Sequence, residues 1–233
     1  MTSLKPLTHP ARIKYENSNK IPNQVYWELH KKFLVATAIK INIDTFKKDI
    51  SKYNKFFKPW GTNKPELVNI RRGLPLVNLS GKYDEDIDNS IGPLDHYNNK
   101  NPDKPLLEYD FKVQTEVLDI KSLKPLNALR NYMTRSSILH WKKGAFFSPH
   151  WDVMLPAINL RLWGTDNPNS ISLRYKKEDK MIECNNIEAG RLYLIETSTV
   201  HDARCISGEV YQFFISLNIN SLRLLQSLTH PTI

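Results

Sequence analysis

Glycine is scarce in this chain: 8 among 233 residues, with 2 cysteines. So few glycines leave no room for a glycine-rich phosphate cradle, and no G-x-x-x-x-G-K-[ST] or G-x-S-x-G occurs. Cys184 and Cys205 stand alone, without the close spacing of a zinc knuckle or a disulfide framework, and predict a reduced, cytoplasmic or otherwise intracellular protein. No apolar run approaches the roughly 18 residues a membrane helix requires. The segment from Met1 to Pro10 lacks the apolar stretch of a secretory signal and is expected not to be one. Acidic residues are the minority charge, 24 against 33 Lys and Arg, for a net charge of +9. That balance accommodates an acidic partner such as nucleic acid, but the lysines are scattered and no Arg-rich, aromatic-interleaved patch favours one.

What is present is enough for a core. Hydrophobic residues make up 40%, including 5 Trp, 10 Tyr and 9 Phe, so the composition is globular. Residues 1–30 are polar and rich in Pro, Asn and Lys, and read as an arm docked by Tyr26 and Trp27. Alternation over Phe33 to Ile43 predicts a strand. Asp44 is placed to cap a following helix whose apolar face is Phe46, Ile50, Tyr53 and Phe57. Strand pieces are expected in 67–78, a long polar insert in 80–105 with a solvated acidic run at Asp84, Glu85, Asp86 and Asp88, and a helical region in 118–132. From Met133 onward short strand-like runs recur at about ten-residue spacing: 136–141, 145–150, 157–163, 170–175, 180–184, 191–196 and 210–218. This is the pattern of an antiparallel sandwich or barrel. The expected class is mainly β with N-terminal helices (α+β). The expected organisation is a supporting region 1–132, a β core 133–220 and a tail 221–233.

His150 and Asp152 are separated by one residue, and His201 follows about fifty residues later. Ligands at i and i+2 on a strand point the same way. Two imidazoles and one carboxylate form the facial ligand set that holds Fe(II) and leaves the opposite positions open. His140, on a strand beside Trp141, reads as a packed or surface residue. His9, His30, His96 and His230 lie in terminal or polar stretches.

The phrases SSILHWKKGAFFSPHWD, NLRLWGTDNP and EAGRLYLIETSTVHDARCISGEVYQFFISLNI, with Gly144 and Gly190 at turns before strands, resemble the core of the Fe(II)/2-oxoglutarate-dependent oxygenases. Within that superfamily they are most similar to the aspartyl/asparaginyl β-hydroxylase-type group. The likeness spans Arg135 to Asn218, a little over a third of the chain. It implies a double-stranded β-helix (jelly-roll, cupin-like). It also implies His150, Asp152 and His201 as iron ligands, with Fe(II), 2-oxoglutarate and O2 as reactants. The implied chemistry is hydroxylation of a small-molecule or peptide substrate, an Asp, Asn or Pro-like side chain, with release of succinate and CO2.

The far carboxylate of 2-oxoglutarate calls for a fixed cation, best an arginine. Arg161 lies on the face opposite Leu160 and Leu162 and matches an arginine of that group. Ser137 and Asn159 are further hydrogen-bonding candidates. The chain departs from the group where a second arginine usually follows the second metal histidine: that place falls at Tyr211 or Gln212, and a Tyr hydroxyl donates without bringing charge. Asp152 argues against halogenase chemistry, which needs its position vacated. Two rival readings carry different chemistry. One is a non-catalytic jelly-roll that binds nucleic acid or a protein through its basic surface. The other is a cupin-type metalloenzyme, which usually takes more histidines.

Overall fold

A computed structural model describes residues 32–60, 65–83, 101–104, 106, 108–150, 160–197 and 199–218. The arm with Tyr26 and Trp27, the acidic run at 84–88, Asp152, Asn159 and the 221–233 tail lie outside the described residues.

The chain opens with β1 (Leu34–Lys40) and α1 (Ile43–Ile50), then β2 (Lys58–Pro59), β3 (Arg71–Asn78) and β4 (Val113–Gln114). Short 3₁₀ segments at 116–119 and 121–132 lead to β5 (Ser136–Lys142), β6 (Phe146–His150), β7 (Leu160–Thr165), β8 (Ile171–Lys177) and β9 (Lys180–Glu183). The chain closes through β10 (Arg191–Ile195), β11 (His201–Cys205) and β12 (Glu209–Leu217). Among the described residues every strand pairing is antiparallel. The larger sheet runs β1-β10-β7-β12-β5-β3-β2, with β4 on β3, and the smaller runs β6-β11-β8-β9. Two facing sheets linked in this order form the jelly-roll, a double-stranded β-helix. Strands from the 1–132 region widen the larger sheet at both edges.

Both faces of the larger sheet are buried, for different reasons. Its outer face carries Leu74, Leu76, Ile138, Leu160, Leu162, Leu192, Leu194, Phe213 and Ile215. These pack on Phe46, Ile50, Leu118, Leu123 and Leu126 of the helical layer. Its inner face carries Leu139, Trp141, Trp163, Ile195 and Val210, which meet Leu173, Ala203 and Cys205 of the smaller sheet. Phe213, wholly buried and edge-on to Phe46 at 4.9 Å, pins the helix to the sheet. Removing such a ring costs about 3–5 kcal/mol.

Local chemistry explains where the elements differ from the sequence reading. The cap of α1 is Asn42, whose side chain accepts from the Thr45 backbone N–H, so β1 ends at Lys40 and Asp44 falls in the first turn. Residues 118–132 are 3₁₀ turns because Ile120 is extended and Pro125 removes a backbone donor. β3 is a single strand of eight residues. β11 was not expected: Ala203 and Cys205 alternate with Asp202 and Arg204, but both are small and the segment opens on a histidine, so the hydrophobic signal is weak.

His140 faces the helical layer. It stacks on Tyr211 at 4.5 Å and meets Phe57 edge-on, with Nε2 3.1 Å from Glu209. Burial pushes its pKa below the ordinary 6.5, and Glu209 only partly opposes this. The unfolded chain therefore binds more protons than the folded one just below pH 6.5, and stability falls as pH drops from 6.5 toward the lowered folded value. Replacing His140 by Gln should flatten that part of a urea-midpoint-versus-pH profile.

Gly190 sits at φ +76°, and a Cβ there would lie 2.1 Å from the Ile41 carbonyl oxygen, whose own N–H donates to Gly190 O at 2.8 Å. Gly190→Ala should lower stability by about 2 kcal/mol or more, from left-handed strain plus overlap, measured by denaturant unfolding.

Candidate functional site

β6 and β11 pair so that His150 stands directly opposite His201. The imidazole centroids are 4.6 Å apart with planes inclined by 47°. The next register pair is Ala203 with Phe147: two steps along β11 match three along β6. β6 therefore carries a bulge, and Pro149 lies within it, where the absent N–H costs no ladder bond. The bulge has a consequence for aim. Strict alternation would turn His150 away from Phe147, three positions earlier; instead the two rings approach to 5.5 Å on one face.

Each imidazole is fixed by a main-chain carbonyl. Nδ1 of His150 is 2.7 Å from Ser148 O, and Nδ1 of His201 is 2.8 Å from Thr199 O. A carbonyl only accepts, so both Nδ1 atoms carry the proton in the neutral ring and the lone pair sits on Nε2. This is the tautomer a metal-binding histidine needs. Among the described residues no third His, Cys, Asp or Glu joins them in a metal-holding group. Asp152 lies outside those residues.

Aromatic rings wall the pair. Phe33 stacks on Tyr175 at 4.5 Å and approaches His201 to 5.9 Å. His201 is buried, and Tyr175 is its register partner on β8. The adjacent Asp202 turns outward and takes a two-pronged contact from Arg174, at 2.9 and 2.5 Å, which ties β11 to β8. On its other side, β6 is held by Arg71 of β3. The Arg71 guanidinium donates to Phe146 O at 2.7 Å and to Trp60 O at 2.8 Å, and lies 4.6 Å from the Phe147 ring centre. Burial pulls the Arg71 pKa down to about 10. Nothing in the sequence marked Arg71 as internal; only the phase of β3 reveals it.

Arg161 lies on the inner face of β7, at the same end of the sandwich. Its register partner Ile195 ends β10, and His201 begins β11 six residues later. The guanidinium donates to Ser216 Oγ at 2.6 Å and covers the Phe214 ring at 4.4 Å. Glu108 Oε1 lies 3.5 Å from it and 3.1 Å from Arg135 Nη1. Glu108 and Arg135 were not singled out in the sequence; their role depends on a contact 27 positions apart. Ser137, buried opposite Phe214 on β5, shares the inner face with Leu139 and Trp141.

Tyr211 corrects one sequence assignment. It points into the helical layer, against Phe46 and Phe57, with its hydroxyl 3.3 Å from Asn54 Oδ1. Burial raises its pKa to about 12. Gln212 is the one that turns inward, accepting from Trp163 Nε1 at 3.1 Å. The alternative phase of β12 is thus the real one, and the inner group at this position is an uncharged amide.

A scan of protein-family models and a search of curated proteins gave no match. Among solved structures, the chain is similar to an oxidoreductase of the 2OG-Fe(II) oxygenase family from Burkholderia pseudomallei. The TM-score is 0.50 and the identity 11%, over 85% of this chain and 91% of that one. It also matches a Trichoplax adhaerens prolyl hydroxylase in complex with a hypoxia inducible factor oxygen degradation domain peptide fragment. Here the TM-score is 0.47 and the identity 12%, over 92% of this chain and 96% of that one. A Pseudomonas putida prolyl-4-hydroxylase matches with a TM-score of 0.45 and 12% identity, over 84% and 97% of the two chains. The first likeness shows a fold shared with a 2OG-Fe(II) oxygenase-family protein: the double-stranded β-helix.

Proposed function

We propose that this chain is an Fe(II)- and 2-oxoglutarate-dependent oxygenase that hydroxylates an amino-acid side chain, free or within a peptide. The observation that carries the reading is the in-register pair His150 and His201, each with Nδ1 spent on a carbonyl and Nε2 left as the basic nitrogen. Two imidazoles so prepared fit a divalent transition metal, and Asp152, two residues past His150, supplies the carboxylate of the set. When bound, iron and 2-oxoglutarate supply the oxidising chemistry: O2, 2-oxoglutarate and a C–H group give C–OH, succinate and CO2.

The chain's own groups bind, orient and exclude water. Ser148 O and Thr199 O hold the imidazoles in one tautomer and one orientation. Phe33, Tyr175 and Phe147 dry one side of the pair, which strengthens electrostatic contacts there. Arg161 anchors the far carboxylate of 2-oxoglutarate, with Ser216 fixing the guanidinium and Ser137 as a neighbouring hydroxyl on the same face. Asn159, two residues before Arg161, is a further donor in this assignment. The sequence likeness to the β-hydroxylase-type group supports an Asp, Asn or Pro-like side chain as the substrate. Free Cys184 and Cys205 support a reducing, intracellular setting. Among the described residues no helix is long and apolar enough to cross a membrane.

Two measurements test this. His150→Ala and His201→Ala should each weaken Co(II) or Mn(II) binding, read by calorimetry, by more than the ~10–100-fold typical of losing an outer-shell partner. The melting curve should stay close to wild type. Unaltered metal affinity in both variants removes the site. Arg161→Ala should weaken 2-oxoglutarate by at least about 30-fold while sparing the metal, as expected when one member of a buried charge-assisted pair is lost. Equal affinity would reassign the anchor.

A further inference from the structure

We propose that Glu108 sets the affinity of the site for dicarboxylate ligands: its side chain occupies the approach to Arg161 and yields when a ligand carboxylate arrives. This rests on the assignment of Arg161 as the anchor, and goes beyond it in giving the ligand an internal competitor.

Arg161 is 5% exposed, so a ligand reaches its guanidinium only where a neighbour gives way. Among the described residues its neighbours include Ser216, Phe214 and Glu108. Ser216 and Phe214 stand on β12, whose backbone is held between β5 and β7, and neither carries a charge that a ligand carboxylate would repel. Glu108 belongs to a three-residue turn, Glu108–Asp110, outside both sheets. Of these three it is the acidic one and the one outside the β ladders.

Its present contacts are those of a group easily displaced. Oε1 serves both arginines, at 3.1 Å from Arg135 and a long 3.5 Å from Arg161, while Oε2 is buried without a hydrogen bond. A desolvated carboxylate oxygen left unsatisfied is costly. Arg135 offers a retreat. Its fork can take both oxygens of one carboxylate, and its backbone N–H already reaches Glu108 O at 3.5 Å. A ligand carboxylate at Arg161 would repel Glu108 toward that two-pronged arrangement and satisfy Oε2 in doing so.

The test is calorimetric titration of the Zn(II)-loaded full chain with 2-oxoglutarate, where zinc is redox-inert and no turnover intervenes. Glu108→Gln should tighten binding about tenfold, within the usual range of coupling between sites. Glu108→Asp, whose shorter carboxylate withdraws from Arg161, should tighten it by less. If Glu108→Gln does not fold, Glu108→Asp carries the test alone. Unchanged or weaker binding in the folded variant overturns the inference and makes Glu108 a support for Arg161. Arg161→Met separates the two ideas. If it binds 2-oxoglutarate like wild type, the anchor assignment itself fails and this inference with it. If it loses binding and the Glu108 variants do not tighten, only the competitor role fails.

Discussion

The pairing of β6 with β11 is the constraint on which the candidate site depends. Side chains on a strand alternate, so a slip of one residue would send one imidazole to the opposite face of the small sheet. The register is secured from several directions: Arg174 and Asp202 lock β11 to β8, Arg71 holds the other margin of β6, and Phe147 packs on Trp141 in the core. The bulge at Pro149 then rotates the end of β6 inward. A device that would weaken a plain sheet is here what lets two histidines meet.

The second constraint is the two-sided burial of the larger sheet. Because α1 and the 116–132 segment cover its outer face, β7 and β12 are buried on both sides over most of their length. Polar groups survive on the inner face near the ends of the strands, as Arg161, Ser216 and Ser137. The interior thus grades from apolar, around Trp141 and Val210, to polar at the end where the histidines lie.

How much of this the sequence revealed follows from those two constraints. Strands with one dominant period, such as Leu160 to Thr165, were legible, and the inward phase of Arg161 followed from Leu160 and Leu162 facing the other way. The spacing of His150 and His201 was legible because it is chemistry rather than geometry. β11 was not, since its inward residues are His201 and the small Ala203 and Cys205, a weak hydrophobic signal, while Asp202 is buried through its contact with Arg174. The phase of β12 was ambiguous for a related reason: Val210, Phe213, Phe214 and Ile215 put apolar groups on both faces, so Tyr211 and Gln212 were equally eligible. Glu108 and Arg71 carry no local signature at all; their placement exists only once the sheets close.

The two histidines do not sit on equivalent ground. β11 is flanked by β6 and β8, whereas β6, at the margin of its sheet, has β11 as its strand neighbour among the described residues. His201 thus stands on a strand paired on both sides, and His150 on a marginal strand whose other side is tied by the Arg71 contact to Phe146 O. In the proposed site one imidazole would therefore rest on a strand clasped from both sides and the other on a marginal strand, so the two halves of the pair differ in how much backbone supports them.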